Sequence, residues 1–499
     1  MRLLPAIVAA LALLAAAFAL LQLYRAEAGL STERVLIDDT PATVWRPEGG
    51  GPAPTVVIAH GFAGSRQLMR PFAATLARSG FLAVTFDFYG HGRNPRPLTG
   101  DVGDVRGATL RLVDQLEKVS RFALSLPEAD GRLATLGHSM AADIIVRHAI
   151  RSPEVAATVA VSMFSPAVTA TEPENLLVVV GAWEPGLREE ALRVLRLSGG
   201  SAAGETVGDP AGGFARRVAF APNVEHVGVL YSPASQREAR DWLAAAFGVE
   251  AAPYADARGP WILLLILAVV ALAWPLSKLL PTIAAPEGAG LSGWRFWVAA
   301  LGPAVATPLL LRVVDLRFLP VVVGDYLATH FALYGLLTAL ALWRLGARAP
   351  SRPAWGPFAL AAGAVAAWAL VGVGWVIDAH VSSFLPIPER LVLLGAILLG
   401  ALPYFLADEW LTRGPGAPRF AYPLTKLLFL LSLAAATALN LPRLFFLIIL
   451  APPMVLFFIV YGLFSRWTMR ATGDPFVAGA ANAAVFAVAI AVTFPMIAG

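Results

Sequence analysis

Residues 133–149 read LATLGHSMAADIIVRHA, and a single serine, Ser139, stands there between an apolar run and an amphipathic run. The first run is typical of a buried strand, and the second has the periodicity of a helix. Gly137 and Ala141, two residues before and after the serine, are both small. This is the G-x-S-x-G pattern with alanine in its last position, where small residues let a strand and a helix approach closely. We therefore predict that Ser139 lies in a tight strand-to-helix turn.

The sequence on both sides of this turn alternates between strand-like and helix-like runs. The strand-like runs are PTVVIAH (54–60), FLAVTFDF (81–88), GRLATLG (131–137), VAATVAVSMF (155–164), NLLVVVGAW (175–183) and RRVAFAP (216–222), with amphipathic stretches between most of them. Such alternation predicts an α/β fold with a doubly wound, mostly parallel sheet. In sheets of this kind, ligands bind at the carboxyl ends of the strands.

Loops after three of these strands carry the other groups that an acyl-transfer site requires. The segment HGF at residues 60–62 follows the first strand, so the amides of Phe62 and Met140 are candidates for an oxyanion hole. Glu184 ends VVVGAWE, and His226 lies in NVEHVGVLYS after the last strand. The order serine, acid, histidine is the one expected for a nucleophile placed in such a turn.

With these segments identified, the chain resembles the α/β-hydrolase family of serine esterases, lipases and dienelactone hydrolases over roughly residues 40–250. The segments that carry the resemblance are VVIAHGFAGS, VTFDFYGHGRN, LATLGHSMAAD, VVVGAWEPG and EHVGVLYSP. The resemblance implies that Ser139 attacks an acyl carbonyl, that His226 takes and returns the proton, and that Glu184 orients the imidazole ring. Glutamate stands where the family more often has aspartate, so Glu184 is the member of this set that departs from the pattern.

Several positions keep a second interpretation. Ser139 is also compatible with a simple helix cap, and His226 with a surface histidine. Glu184 is compatible with a solvated loop charge, and Asp209 and Glu225 are then the rival candidates for the acid. The other histidines of this region, together with Asp87, are assigned to turns or to a helix face: His60, Asp87, His91, His138 and His148. We find no P-loop, dinucleotide-binding turn or metal-ligand cluster, so we expect chemistry without a cofactor or a metal.

The remainder of the chain is strongly apolar. Overall, 57% of the residues are hydrophobic and 14% are charged, where a soluble protein has about 25% charged residues. Nine candidate membrane spans lie near residues 4–23, 261–281, 296–314, 321–342, 357–377, 391–411, 424–441, 444–464 and 476–497. We predict a transmembrane anchor at 1–29, an α/β-hydrolase domain at 30–258 and a polytopic domain of about eight helices at 259–499. The AEA at residues 26–28 imitates a cleavage site, but the first apolar run is longer than that of most signal peptides.

Basic residues predict the orientation of these spans. If the N-terminus is cytoplasmic, the loops placed inside carry Lys278, Arg295, Arg344, Arg348, Arg352, Arg413, Arg419, Lys426, Arg466 and Arg470, and those outside carry only Arg312, Arg317, Arg390 and Arg443. This bias places the hydrolase-like domain outside the cytoplasm, on the periplasmic side of a cell membrane.

Ionisable residues in or near the spans are candidates for function. Asp325 and His330 are compatible either with a polar contact between helices or with a site, whereas Asp378 and His380 are expected to be interfacial loop residues. The chain has no cysteine, which excludes disulfides and thiolate chemistry. It also lacks a basic run with interleaved aromatic residues, so nucleic acid is not expected as a partner.

These observations predict a membrane-anchored serine hydrolase whose partners are the lipid bilayer and a small acyl ester, thioester or lipid substrate. Only SPAVTATEPE separates two of the predicted strands, so no lid domain fits there, and the Gly-rich residues 198–213 form either a connector or a flap. Two alternatives remain. The serine could pass its acyl group to an acceptor, or the domain could be a non-catalytic part of a transporter or membrane scaffold.

Overall fold

A computed structural model of the chain describes residues 3–47, 49–101, 104–348, 351 and 354–498, and Arg352 therefore lies outside the described residues. The chain divides into two compact units. The first, which we call the sheet unit, contains Phe18–Leu263, Asp378–Ser383 and Pro495–Gly499. The second, which we call the helical unit, contains Met1–Ala17, Leu264–Ile377 and Phe384–Phe494. The sheet unit thus includes residues 18–29 and 259–263, which flank the predicted domain at 30–258, and two short segments from farther along the chain.

One nine-stranded sheet forms the centre of the sheet unit. Its strands are β1 Ser31–Ile37, β2 Thr40–Arg46, β3 Ala53–Ala59, β4 Leu82–Phe86, β5 Ala129–His138, β6 Val155–Val161, β7 Asn175–Gly181, β8 Thr206–Asp209 and β9 Phe214–Ala221. They lie in the order β1-β2-β4-β3-β5-β6-β7-β9-β8. The pairs from β4 to β9 are parallel, and β1, β2 and β8 are antiparallel to their neighbours. The α/β prediction with a mostly parallel sheet is therefore confirmed.

Three strands of the described sheet, the edge strands β1 and β8 and the neighbouring β2, have no counterpart in the sequence prediction. β1 and β2 form a hairpin that joins β4, and β8 lies inside the Gly-rich stretch 198–213. β8 is four residues long and contains Gly208 at a φ of 83°. Glycine is depleted in strands, so pairing with β9, rather than local preference, makes this segment extended. The stretch is thus a connector that contains a strand.

Helices cover both faces of the sheet. The α-helices of the described residues, in both units, are α1 Leu3–Glu27, α2 Arg70–Arg78, α3 Leu110–Leu124, α4 Met140–Arg151, α5 Pro185–Leu197, α6 Gly228–Tyr231, α7 Pro233–Phe247, α8 Gly259–Ser277, α9 Gly293–Leu311, α10 Gly324–Arg344, α11 Trp355–Ala367, α12 Gly374–His380, α13 Leu391–Thr412, α14 Ala421–Leu439, α15 Leu441–Leu444, α16 Leu447–Thr472 and α17 Pro475–Thr493. Helices α3, α4 and α5 pack with Val57 of β3 on one face, and α2 and α7 pack with Val56 and Ile58 on the other. Successive residues of a strand point to opposite faces, so a central strand buried on both faces has a continuous apolar sequence.

Apolar helices long enough to cross a membrane make up the helical unit and its flanks. The described residues contain nine of them, at Leu3–Glu27, Gly259–Ser277, Gly293–Leu311, Gly324–Arg344, Trp355–His380, Pro388–Thr412, Ala421–Leu439, Leu447–Thr472 and Pro475–Thr493. Each falls on one of the nine predicted spans. A run of about 20 apolar residues matches the thickness of the hydrocarbon core, and we describe the chain as a multi-pass membrane protein.

Polar residues in and near the spans have partners within the helical unit or are buried. His330 is buried on α10 and its Nε2 lies 3.2 Å from Ser432 Oγ on α14, which is a polar contact between helices. Asp325 lies in the first turn of α10, and its carboxylate accepts a hydrogen bond from the amide of Tyr326 at 2.8 Å. Lys426 and Arg390, assigned above to loops on opposite sides, are both buried. If Lys426 and Arg390 are both left out of the comparison, the loops placed inside still carry more basic residues than the loops placed outside.

Candidate active site

The turn at Ser139 connects β5 to α4, as the sequence predicts. Ser139 has a φ of 57° and a ψ of −117°, a strained conformation for a residue with a side chain. Its amide donates a hydrogen bond to the carbonyl of Val161 on the adjacent strand β6 at 2.8 Å. A Cβ atom at Gly137 would lie 2.7 Å from the carbonyl oxygen of Ala141, so only glycine fits before the turn. The backbone thereby projects Ser139 from the carboxyl end of the sheet.

Two side chains from later loops form a hydrogen-bonded series with this serine. Ser139 Oγ lies 2.8 Å from Nε2 of His226, and Nδ1 of His226 lies 2.5 Å from Oε1 of Glu184. Nδ1 carries a proton when it donates to the carboxylate, so Nε2 is free to accept the hydroxyl proton of Ser139. The three predicted residues therefore form one hydrogen-bonded series, from a hydroxyl through an imidazole to a carboxylate.

The Glu184 carboxylate is almost completely buried, and both of its oxygens accept hydrogen bonds. Oε2 accepts from Ser162 Oγ at 2.6 Å and from the amide of Gly181 at 2.8 Å. Burial alone would raise the pKa of Glu184, but the hydrogen bonds from His226, Ser162 and Gly181 lower it below its ordinary value. Glu184 is therefore ionised at neutral pH.

The two rival acids have local roles. The Asp209 carboxylate accepts a hydrogen bond from the amide of Ala211 at 3.0 Å. Glu225 accepts from the amides of Val227 and Gly228 at 2.6 and 2.8 Å, and so stabilises the turn that follows His226. The geometry therefore selects Glu184 as the partner of His226.

The loop after β3, which carries the candidate oxyanion donor Phe62, approaches the nucleophile closely. A Cβ atom at Gly61 would lie 3.0 Å from Cβ of Ser139, so the peptide that leads to Phe62 passes beside the serine. Met140, the second predicted donor, is the first residue of α4. The amides of a first helical turn have no carbonyl partner within their own helix. Both predicted amides therefore lie in segments that adjoin Ser139.

A buried polar network holds this loop. His60 Nε2 accepts a hydrogen bond from the amide of Phe88 at 3.1 Å, so its Nδ1 carries the proton and donates to the carbonyl of Gly61 at 2.8 Å. Asp87, fully buried, accepts from the amide of Arg66 at 2.7 Å and also forms an ion pair with the Arg66 guanidinium group. Burial lowers the pKa of His60, which keeps the ring neutral. Asp87 thereby holds the segment just after the candidate oxyanion loop, and it also accepts a hydrogen bond from the amide of Arg93 in its own turn at 3.1 Å.

His138 holds the loop of the candidate base. Its Nε2 donates to the backbone carbonyl of His226 at 2.8 Å. Burial, together with the neighbouring His226, lowers the pKa of His138 to about 3, so the ring is neutral at physiological pH. The sequence assigns His138 only to a turn, because no local pattern shows a contact with a residue 88 positions later.

A segment distant in sequence also contacts the candidate oxyanion loop. Ser65 Oγ lies 3.0 Å from Ser382 Oγ and accepts a hydrogen bond from the amide of Ser383 at 3.0 Å. Within the same segment, the carboxylate of Asp378 lies 2.5 Å from the guanidinium group of Arg93. Asp378 is therefore an ion-paired, mostly buried residue rather than the interfacial loop residue expected above. Sequence reasoning missed Ser65 and Ser162 because isolated serines carry no pattern.

Part of the sheet unit matches a known protein family. Residues 50–204 match the family described as serine aminopeptidase, S33. Similar solved structures include the dienelactone hydrolase of Anabaena variabilis, 17% identical, which covers 43% of this chain and 97% of that chain at a TM-score of 0.34. Another is a membrane phospholipase A described as a bacterial virulence factor, 17% identical, covering 48% of this chain and 93% of that chain at a TM-score of 0.34. A search of curated proteins found no match. The matched residues include strands β3 to β7 and the nucleophile turn, and the sheet unit has the α/β-hydrolase fold.

Proposed function

We propose that this protein is a membrane-anchored serine hydrolase that cleaves acyl ester bonds, including those of thioesters or lipids, through an acyl-enzyme on Ser139. The observation that carries the proposal is the continuous hydrogen-bonded series from Ser139 Oγ through His226 to Glu184. A solvated loop charge or a simple helix cap does not require such a series. The strained backbone of Ser139 adds to it, because strain of this kind is retained where a site depends on it.

The proposed reaction begins when Ser139 Oγ attacks the acyl carbonyl carbon and its proton passes to Nε2 of His226. The amides of Phe62 and Met140 donate hydrogen bonds to the oxyanion that forms. Nε2 then gives the proton to the leaving alcohol oxygen as the C–O bond breaks, which leaves the acyl group on Ser139. Water attacks this ester after losing a proton to the same nitrogen, and the proton returns to Ser139 as the acid departs.

Apolar side chains around the proposed site support a lipophilic acyl substrate. Trp183, next to Glu184, and Phe164, two residues after Ser162, are each 64% exposed. Val227, next to His226, is also exposed. Large apolar side chains that stay exposed beside a site are typical of surfaces that bind apolar ligands. The segment between β6 and β7 is too short for a lid domain, so these residues would meet the substrate directly.

Covalent labelling with a fluorophosphonate probe tests this function. We expect the full-length protein to be labelled, Ser139→Ala to lose the label, and Ser125→Ala, an exposed serine on the same unit, to be labelled like the wild type. An unlabelled wild type, or equal labelling of Ser139→Ala, would indicate a non-catalytic domain. Product analysis with and without an added acceptor alcohol then distinguishes hydrolysis from acyl transfer.

We also propose that the hydrolase domain faces away from the cytoplasm. Basic residues favour this orientation. The alternation of spans places Asp378–Ser383 and Pro495–Gly499, which belong to the sheet unit, on the same side as the hydrolase domain in either orientation, so the basic residues alone decide which side this is. A reporter that functions only in the periplasm, fused after Gly248, should be active. A silent reporter, with an active cytoplasmic reporter at the same position, would reverse the orientation.

A further inference from the structure

A cavity in the helical unit combines basic side chains with an apolar wall. It is lined by α14, by α16 and by the loop that follows α13, and it has a volume of about 840 Å³. Its basic residues are Arg413, Arg419, Lys426 and Arg466. Sites for small molecules have volumes of about 300–1,000 Å³, so the cavity is large enough for a ligand. We propose that it binds the headgroup of an anionic phospholipid.

Two of the four basic residues are already neutralised by carboxylates. Lys426 forms an ion pair with Asp408, and Arg413 pairs with Glu409 at 3.0 Å. Arg419 and Arg466 are exposed, and within the described part of the chain no carboxylate oxygen lies within 4 Å of either guanidinium group. The cavity therefore carries a net positive charge that its own acidic neighbours do not balance. Planar guanidinium groups bind phosphate with two parallel hydrogen bonds.

The apolar wall indicates that the anion belongs to a lipid. Leu427 on α14 and Val455, Ile459 and Leu463 on α16 line the cavity, and all four are exposed. Large apolar residues are exposed on a membrane-spanning surface where acyl chains cover them. An anionic phospholipid would satisfy both parts, with its phosphate at Arg419 and Arg466 and its chains along this wall. A soluble phosphate would leave the apolar wall uncovered.

The basic residues of the cavity lie at the ends of spans where an anionic headgroup is expected. Arg413 and Arg419 follow α13, and Arg466 lies in the last two turns of α16, at span ends that the charge bias assigns to the cytoplasmic side. Anionic lipids are concentrated in the cytoplasmic leaflet, and basic cavities between spans bind their headgroups there. The inference does not depend on the activity proposed for Ser139.

Lipid retention by the purified full-length protein tests the inference. The protein is exchanged into nanodiscs of phosphatidylcholine doped with phosphatidylglycerol, extracted, and analysed for bound lipid by native mass spectrometry. We expect preferential retention of phosphatidylglycerol, which falls about tenfold in Arg419→Gln/Arg466→Gln. Arg470→Gln, on the same helix but outside the cavity lining, should retain the lipid like the wild type. A double Arg→Lys variant at the same two positions should keep most of the preference.

Three outcomes would overturn the proposal. These are equal retention of phosphatidylcholine and phosphatidylglycerol, unchanged retention in the folded double Gln variant, and displacement of the lipid by inorganic phosphate at comparable concentration. The last would define a site for soluble anions. Helix content and the melting temperature of each variant, measured in the same nanodiscs, show whether the double variant is folded.

Discussion

Glu184 in the sheet unit and Glu409 in the helical unit are both buried carboxylates, but their partners differ. Glu184 accepts hydrogen bonds on both oxygens, one of them from the backbone amide of Gly181. Glu409 accepts from Arg413, one turn later on its own helix, and its Oε1 has no hydrogen-bond partner within the described residues. The first carboxylate is stabilised largely without a formal positive charge, whereas the second depends on one cation.

Secondary structure explains this difference. Amides at or beyond the end of a strand are available to side-chain acceptors. Gly181, the last residue of β7, donates to Glu184, and the amides of Arg66, after β3, and Arg93, after β4, donate to Asp87. Inside a membrane-spanning helix nearly every amide is bonded to the carbonyl four residues earlier. A buried carboxylate there must find a side-chain cation, as Asp408 does with Lys426. The end of β7 can therefore hold a carboxylate ready for chemistry, whereas the two carboxylates of α13 are held in ion pairs.

Glu184→Gln gives the strongest test of the claim that the Glu184 carboxylate serves the chemistry of the site rather than its stability. The amide keeps the shape of the side chain but favours the wrong tautomer of His226, so we expect kcat to fall by about 10³–10⁴-fold while the protein stays folded. Esterase assays and a thermal melt measure the two effects. Asp209→Asn, which changes the rival acid, should leave kcat unchanged. A loss of folding with little change in the remaining specific activity would contradict the comparison.

Asp408→Asn should instead affect stability. Removing the carboxylate leaves Lys426 buried without its partner, and a broken buried ion pair lowers the free energy of unfolding by about 3–5 kcal/mol. Thermal unfolding in detergent measures this loss. In Asp408→Leu/Lys426→Met no charge is left unpaired, and we expect most of the loss to be recovered. A single variant that melts like the wild type would show that the helical unit does not depend on this pair.

Low pH should destabilise the sheet unit through His138. The folded pKa of His138 is about 3, below the ordinary value of 6.5, so the unfolded chain binds the additional proton between these values. The stability from this group is therefore fully present above pH 6.5 and is lost as the pH falls toward 3, by about 1.4 kcal/mol per pH unit. His138→Gln should flatten this part of a stability-versus-pH curve. An equally steep curve in the variant would assign the loss to other groups.

Ser65→Ala should lower turnover moderately. It removes the acceptor for the Ser383 amide from the loop that precedes α2, and one hydrogen bond contributes about 0.5–1.5 kcal/mol. If the segment 378–383 positions Phe62 through Ser65, we expect kcat to fall about 2–10-fold with little change in KM. Ser79→Ala, which loses a comparable hydrogen bond to Ala252 elsewhere in the unit, is the control. Equal kinetics for both variants would show that the contact does not position the loop.

Trp183→Ser should have the smallest effect, confined to apolar substrates. We expect KM for long-chain esters to rise about fivefold relative to short-chain esters, because less apolar surface is buried on binding. Leu197→Ser, at the far end of α5, changes an exposed apolar residue away from the site and should not alter this ratio. A parallel rise for both chain lengths would argue against contact between Trp183 and the acyl chain.

Local sequence patterns were sufficient to predict the central strands, the helices that cover them and the positions of the spans. Periodicity encodes an element and its buried face, and a run of about 20 apolar residues encodes a span. The strand-turn-helix context located Ser139, and chain order located Glu184 and His226, which the structure brings within hydrogen-bonding distance of one another. These signals need no knowledge of distant contacts.

Contacts between distant residues were decided only by the tertiary structure. The strand at 206–209 forms against β9 in spite of its glycine, and His138 reaches the carbonyl of His226 across the site. Ser65 meets a segment more than 300 residues later, and Lys426 is buried against Asp408 instead of lying in a loop. A single serine, histidine or lysine has no periodicity, so its sequence does not indicate its partner. Only the packing that places two loops or two helices side by side determines which polar groups must satisfy each other.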